Sequence, residues 1–270
     1  MNKQKPQYAV RWIEEMLGQG RHTFTSHEAQ KLLKVSRLGA YRALHRLEKD
    51  ARLARLKAGF YVIVEPQHRT ARIPPADWFI DDFMKAEKKP YYVSLLSAAR
   101  IHGASHHAPM EFQVMIPTKA LRPRPIVKGN LKIRFFSKNN FDLSETTRIK
   151  TPTGYETVST PETTAWDLVR YSKSAGGLDN VVTVLSELSG QINAANLLAI
   201  VKRHEDPFVA RRLGWLLDKV GRRDLTAGLS KWVGNKDVPF IPLDPSEGIE
   251  KASRNGKWRI WVNAELEPEA

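Results

Sequence analysis

The sequence predicts an α+β protein built as two domains, and three observations carry that prediction. Residues Thr25 to Val64 read as two short helices joined by a tight turn and followed by a two-stranded hairpin. Short extended segments then gather between Tyr91 and Val158, and from Thr160 onward apolar residues recur at helical spacing. The first pattern is that of a winged helix-turn-helix, assigned to residues 1–72. The other two make residues 73–270 a larger mixed α/β domain with a small sheet and a C-terminal helical bundle.

Each element has a local cause. Apolar residues Tyr8, Ala9, Trp12, Ile13, Met16 and Leu17 form one helical stripe that stops at Gly18 and Gly20. Thr25 with Glu28 three residues on is a capping box, so a helix starts there, with Ala29, Leu32 and Leu33 on its buried side. Lys34-Val35-Ser36 interrupts it, and Ser36 suits the N-cap of a second helix whose stripe is Ala40, Ala43, Leu44 and Leu47. Ala58-Gly59 turns a hairpin between Leu53–Leu56 and Phe60–Val64.

The other side of that second helix is cationic. At about 100° per residue, Leu38, Arg42, His45 and Lys49 point away from the buried stripe, with Arg46 beside them. In a helix-turn-helix the second helix enters the major groove and its N-terminal part reaches base edges. Ser36, Arg37, Tyr41, Arg42, His45 and Arg46 are therefore candidate contacts to double-stranded DNA. Arginine suits guanine, and a serine at a helix start suits phosphate. Arg52, Arg55 and Lys57 on the wing are placed to touch the sugar-phosphate backbone. Residues 1–72 hold 15 Lys and Arg against 6 Asp and Glu, so they carry +9 of the chain's +14. A cationic excess in so short a segment is the footprint of phosphate contacts.

Glu65 to Pro75 has no period and three prolines, and reads as a linker. Asp77–Met84 and Leu95–Ile101 are expected as helices, the latter closed by Gly103. Phe112–Ile116, Leu131–Phe136, Thr147–Lys150 and Tyr155–Val158 are expected as strands, with a basic loop over 119–128. Whether that loop also touches nucleic acid through Lys119, Arg122, Arg124 and Lys128 is left open by the sequence. Thr160-Pro161-Glu162 combines a capping hydroxyl, proline at the first helical position and an acid in the first turn. Helices are expected over Leu178–Leu188, Ala194–Lys202, Phe208–Val220 and Leu225–Val233, and the tail is expected to add a late strand around Lys257–Val262.

Composition narrows the chemistry. With no cysteine there are no disulfides, thiol nucleophiles or thiolate metal sites, and a reducing cytoplasm is the expected compartment. No apolar run approaches the roughly 20 residues that cross a bilayer, so no membrane partner is expected. His102, His106 and His107 match no zinc spacing and read as loop and core residues, so no metal or cofactor is expected. Arg203-His204-Glu205-Asp206 reads as a helix end before Pro207, and Glu162 as a capping acid. There is no phosphate-cradling glycine loop and no Gly-x-Ser-x-Gly elbow. The strands carry Lys132 and Arg134 where a nuclease would place carboxylates. Catalysis is therefore unsupported, and no catalytic residue is assigned.

Three stretches together resemble the AbiEi family, antitoxins of bacterial abortive-infection toxin-antitoxin systems. They are Leu53-Ala-Arg-Leu-Lys-Ala-Gly-Phe-Tyr61, Tyr92-Val-Ser-Leu-Leu-Ser-Ala-Ala-Arg-Ile-His-Gly103 and Val158-Ser-Thr-Pro-Glu-Thr-Thr-Ala-Trp-Asp-Leu168. The resemblance implies a regulator that binds promoter inverted repeats and represses its own operon. It also implies a C-terminal domain that neutralises a nucleotidyltransferase-like toxin without a stable complex. Two other readings compete: a stand-alone transcription regulator whose C-terminal domain senses a ligand or oligomerises, and a DNA-processing enzyme targeted by the winged helix.

Overall fold

A computed structural model describes residues 5–104, 109–120, 124–234 and 238–268. The protein is α+β, with ten α-helices and three small sheets among the described residues. The chain divides into two compact units. The first comprises residues 1–91, 116–137 and 148–157, and the second residues 92–115, 138–147 and 158–270.

The first unit opens with α1 (Lys5–Gly18), β1 (Thr23–Thr25), α2 (Ser26–Leu33) and α3 (Arg37–Lys49), followed by β2 (Leu53–Lys57) and β3 (Phe60–Ile63). Every expected helix and strand of this region is present, and β1 is an addition. It is three residues long and pairs antiparallel with β3, Phe24 opposite Tyr61, giving the sheet order β1-β3-β2. So short a strand leaves no alternation to read. The core beneath gathers Trp12, Ile13 and Met16 of α1, Phe24, Ala29 and Leu33, Leu44 and Leu47 of α3, and Leu53, Tyr61 and Ile63. Phe24 is its pivot, edge-on to Trp12 at 4.7 Å and stacked on Tyr61 at 5.5 Å.

The aperiodic stretch after β3 holds a 3-10 turn over Pro66–His68, and a second turn over Ala76–Trp78 leads into α4 (Ile80–Ala86). The helix expected from Asp77 is thus split, because the Phe79 backbone leaves helical geometry at φ −143. The remaining parts of this unit come from a six-stranded sheet with members in both units. Its strands are β4 (Tyr92–Val93), β5 (Phe112–Pro117), β6 (Ile126–Lys128), β7 (Leu131–Lys138), β8 (Thr146–Thr151) and β9 (Gly154–Ser159), in the order β6-β7-β5-β4-β9-β8. The basic loop expected over 119–128 is corrected at its end. Ile126–Lys128 is strand β6, paired antiparallel with β7, Ile126 opposite Ile133.

The second unit is mainly helical: α5 (Leu95–Ile101), α6 (Pro161–Arg170), α7 (Leu178–Leu188), α8 (Ala194–His204), α9 (Pro207–Lys219) and α10 (Ala227–Gly234). Helix α6 is its axis, with Thr163 to Val169 buried without a break. Thr160 caps it as expected, accepting from the Thr163 amide. Glu162 stands in the first turn as expected, and its buried carboxylate also accepts from the Asn193 backbone amide at 2.8 Å, fixing the entrance to α8.

The tail also departs from expectation. Instead of adding one strand, it forms a separate sheet, β10 (Ile241–Pro242), β12 (Ile260–Val262) and β11 (Ser253–Asn255) in that order. Its anchor is Trp258, fully buried, whose indole N–H donates to Asp218 of α9 at 2.7 Å. The ring occupies the space beside Gly214, where a Cβ would come within 2.2 Å of it.

Candidate functional site

The candidate nucleic-acid face is assembled by two caps and one left-handed residue. The Thr25 hydroxyl accepts from the Glu28 amide at 3.2 Å while the Glu28 carboxylate accepts from the Thr25 amide at 2.8 Å, closing the capping box. Helix α2 ends at Lys34, held at φ 49 and ψ 43. This conformation turns the chain sharply at modest strain. Ser36 then caps α3, its hydroxyl accepting from the Gly39 amide at 3.1 Å. With Ala40, Leu44 and Leu47 buried, the far side of α3 is fixed outward.

Ser36, Arg37, Tyr41, Arg42, His45 and Arg46 are all exposed on that side. The Tyr41 and His45 rings stack nearly parallel, centroids 6.0 Å apart, one helical turn from each other. Arg37, Arg42 and Arg46 have no ion-pair partner among the described residues. An open cleft of about 420 Å³ runs beside them, lined by Ser26, His27, Gln30, Arg37, Tyr41 and Arg55. The Tyr61 phenol on the cleft wall is raised above its usual value by burial, which outweighs the opposing charge of Arg55.

The wing residues divide. Arg55 is exposed on β2, whereas Arg52 is half-buried, 3.7 Å from Glu14, and Lys57 is paired with Glu87 at 2.7 Å. The structure brings the α3 residues and Arg55 to one face and occupies the other two cations with local acids.

A second cluster, in the second unit, was not visible in the sequence. Lys138, at the end of β7 and 3% exposed, donates to Asp167 Oδ1 at 2.9 Å and to the Tyr92 hydroxyl at 3.2 Å, with Glu145 Oε2 at 3.6 Å. Tyr92 OH donates to Asp167 Oδ2 at 2.9 Å. His204 Nε2 lies 3.0 Å from Glu145 Oε2, its ring stacked on Trp166 at 5.3 Å, and Arg203 reaches Glu145 Oε1 at 3.2 Å. Burial raises the Glu145 carboxyl, but the hydrogen bonds from His204 and Arg203 and the charges of Lys138 and His204 outweigh it and hold it below the usual carboxylate value. The Tyr92 phenol is pushed well above its ordinary value by burial first and by Asp167 next.

These groups satisfy one another, so the cluster works as a clamp joining β4, β7, α6 and α8. The segment 203–206 ends α8 as expected, with Glu205 left-handed at φ 50 and Asp206 capping α9. The inward turn of His204 is the part that sequence reading missed. His102 also has a structural tie, 2.7 Å from the Ser159 carbonyl, while His106 and His107 lie outside the described residues. Among the described residues no group of three or more His, Asp or Glu is placed to hold a metal. No helix among them is long and apolar enough to cross a membrane.

The two units differ in charge. The first holds 26 Lys and Arg against 11 Asp and Glu, a balance of +15, which leaves −1 for the second out of the chain's +14.

The α+β fold is similar to that in the crystal structure of the RV2827C protein from Mycobacterium tuberculosis. The TM-score is 0.70 over 94% of this chain and 90% of that one, at 13% sequence identity, a likeness of fold. No curated protein matches the chain. Residues 92–219 match the model of the AbiEi antitoxin C-terminal domain, a span that begins at Tyr92 and encloses Lys138, Glu145, Asp167 and His204. Over these residues the chain is similar to the AbiEi antitoxin C-terminal domain, and that likeness supports a toxin-antitoxin antitoxin role.

Proposed function

We propose that this antitoxin neutralises a nucleotidyltransferase-like toxin without a stable complex and represses its own operon by binding promoter inverted repeats. Residues 1–72 act as a winged helix-turn-helix, with α3 as the recognition helix and β2–β3 as the wing, and residues 73–270 carry the antitoxin job in the cytoplasm. The observation that supports this reading best is the outward face of α3. Three arginines without ion-pair partners among the described residues stand there with Ser36, Tyr41 and His45, on the unit that holds all of the chain's excess positive charge.

Arg37 and Arg42 present forked donors suited to guanine edges, while Arg46 and Arg55 suit the flanking phosphates. Arg52 and Lys57, already neutralised by Glu14 and Glu87, contribute less than their position on the wing suggests.

Two experiments test the two halves. In a gel-shift at moderate salt, the full chain should retard the region upstream of its own gene more strongly than a scrambled duplex. Equal retardation of both ends the repressor reading. Co-expression with the neighbouring open reading frame should restore growth that the neighbour alone arrests. A harmless neighbour, or one still toxic beside this chain, ends the antitoxin reading.

A further inference from the structure

Residues 116–137 contain six Lys and Arg and no Asp or Glu, the most one-sided stretch of the first unit outside the helices and wing. They include the β6–β7 hairpin, and the hairpin is tied to α3. Lys128 donates to Glu48 of α3 at 2.9 Å, and the tip residue Gly129, at φ +56, packs against the Ala71 carbonyl so closely that a Cβ would stand 2.8 Å from its oxygen. The tip is thereby held beside the C-terminal half of α3.

On β7 the buried residues Ile133 and Phe135 alternate with the exposed Lys132 and Arg134. Val127 stands opposite Lys132, 68% exposed. Lys119 and Arg124, on the approach to β6, are exposed as well, and β6 is the edge of its sheet. Arg122 lies outside the described residues. A hairpin whose own exposed residues are cationic repels other sheets and attracts polyanions.

We infer that the β6–β7 hairpin is a second duplex-DNA contact, a backbone clamp that grips phosphates flanking the segment read by α3. The inference rests on the reading of the first unit as a DNA-binding unit and extends it to residues outside the winged helix. Lys132, Arg134, Lys119 and Arg124 supply the contacts, and Lys128 fixes the hairpin against α3. Such contacts position a protein on the duplex without reading sequence, so their loss should fall equally on all sequences.

The test measures binding of the full chain to its upstream region and to a scrambled duplex of equal length across a potassium chloride series. The proteins compared are wild type, Lys132→Gln/Arg134→Gln, Lys119→Gln/Arg124→Gln and Arg42→Ala, each checked for an unchanged melting temperature. Either double variant should weaken both duplexes by about tenfold or more at low salt and flatten the dependence of log affinity on log salt by about two, near 0.9 for each lost phosphate contact. Hairpin variants that keep wild-type affinity and slope while Arg42→Ala loses the upstream region would overturn the clamp and leave the α3 reading standing. A wild-type chain that binds neither duplex would remove the reading of the first unit and the clamp with it. The second double variant keeps the test decisive should the first prove unstable.

Discussion

Arg42 and Lys138 are both cations, and the contrast between their surroundings summarises the contrast between the two units. Arg42 stands exposed on α3 with no ion-pair partner among the described residues, and its charge is left to solvent. Lys138 is closed in among Asp167, Glu145 and Tyr92, and its charge is cancelled from within. The first arrangement costs little to fold and offers long-range attraction. The second is costly to desolvate and brings geometric definition. A chain with both keeps the charges it leaves open on its surface apart from those that hold its shape.

The largest effect should come from opening the inner cluster. Asp167→Ala leaves Lys138 buried beside an empty site, and urea unfolding should show a loss of about 3–5 kcal/mol. A loss below 1 kcal/mol would mean that the clamp is solvated and the contrast false. Next comes Arg42→Ala, which should leave the urea midpoint unchanged and weaken binding to the upstream duplex by about 1–3 kcal/mol if the guanidinium meets a base. A shift in the unfolding midpoint instead would place Arg42 among the structural charges.

Thr25→Ala removes one arm of the capping box and should cost about 0.5–2 kcal/mol by the same unfolding assay. Its DNA affinity should fall only as far as α2 frays, so a binding loss larger than that of Arg42→Ala would make the cap, rather than the cationic face, the limiting feature. The smallest effect sharpens the comparison through pH. Glu145 has a folded value below its ordinary 4.5, so the stability it contributes is present above that value and drains as pH falls through the folded one. The unfolding midpoint should therefore drop on acidification below about pH 4.5, and Glu145→Gln should flatten that drop. An unflattened acid slope would assign the loss to other carboxylates.

What the sequence disclosed was local. The caps at Thr25, Ser36 and Thr160 and the boundaries of α7 depend on residues within one or two turns, and all are where pattern and capping chemistry place them. The exposed face of α3 follows from the same periodicity. The short strands β1, β6 and β11 stayed hidden because each is three residues long and owes its existence to a partner elsewhere.

The clamp stayed hidden for a related reason: its members come from positions 92, 138, 145, 167 and 204, and each alone resembles an ordinary surface residue. The helical pattern itself misleads: Asp167 falls with Thr163 and Thr164 opposite the apolar stripe of Ala165, Trp166, Leu168 and Val169, the side that periodicity leaves to solvent, and only the fold buries it.

The wedge of Trp258 against Gly214 has a practical consequence for dissecting the protein. The last thirty or so residues close over α9 like a latch, and a chain cut short before Lys257 would bare a slot shaped for an indole and strip Asp218 of two donors. A shortened protein that loses the proposed antitoxin action would therefore report a sprung latch as readily as a missing contact. The milder lesion Trp258→Phe, which removes the indole donor and part of the ring beside Gly214 but leaves the rest of the tail in place, tells the two apart.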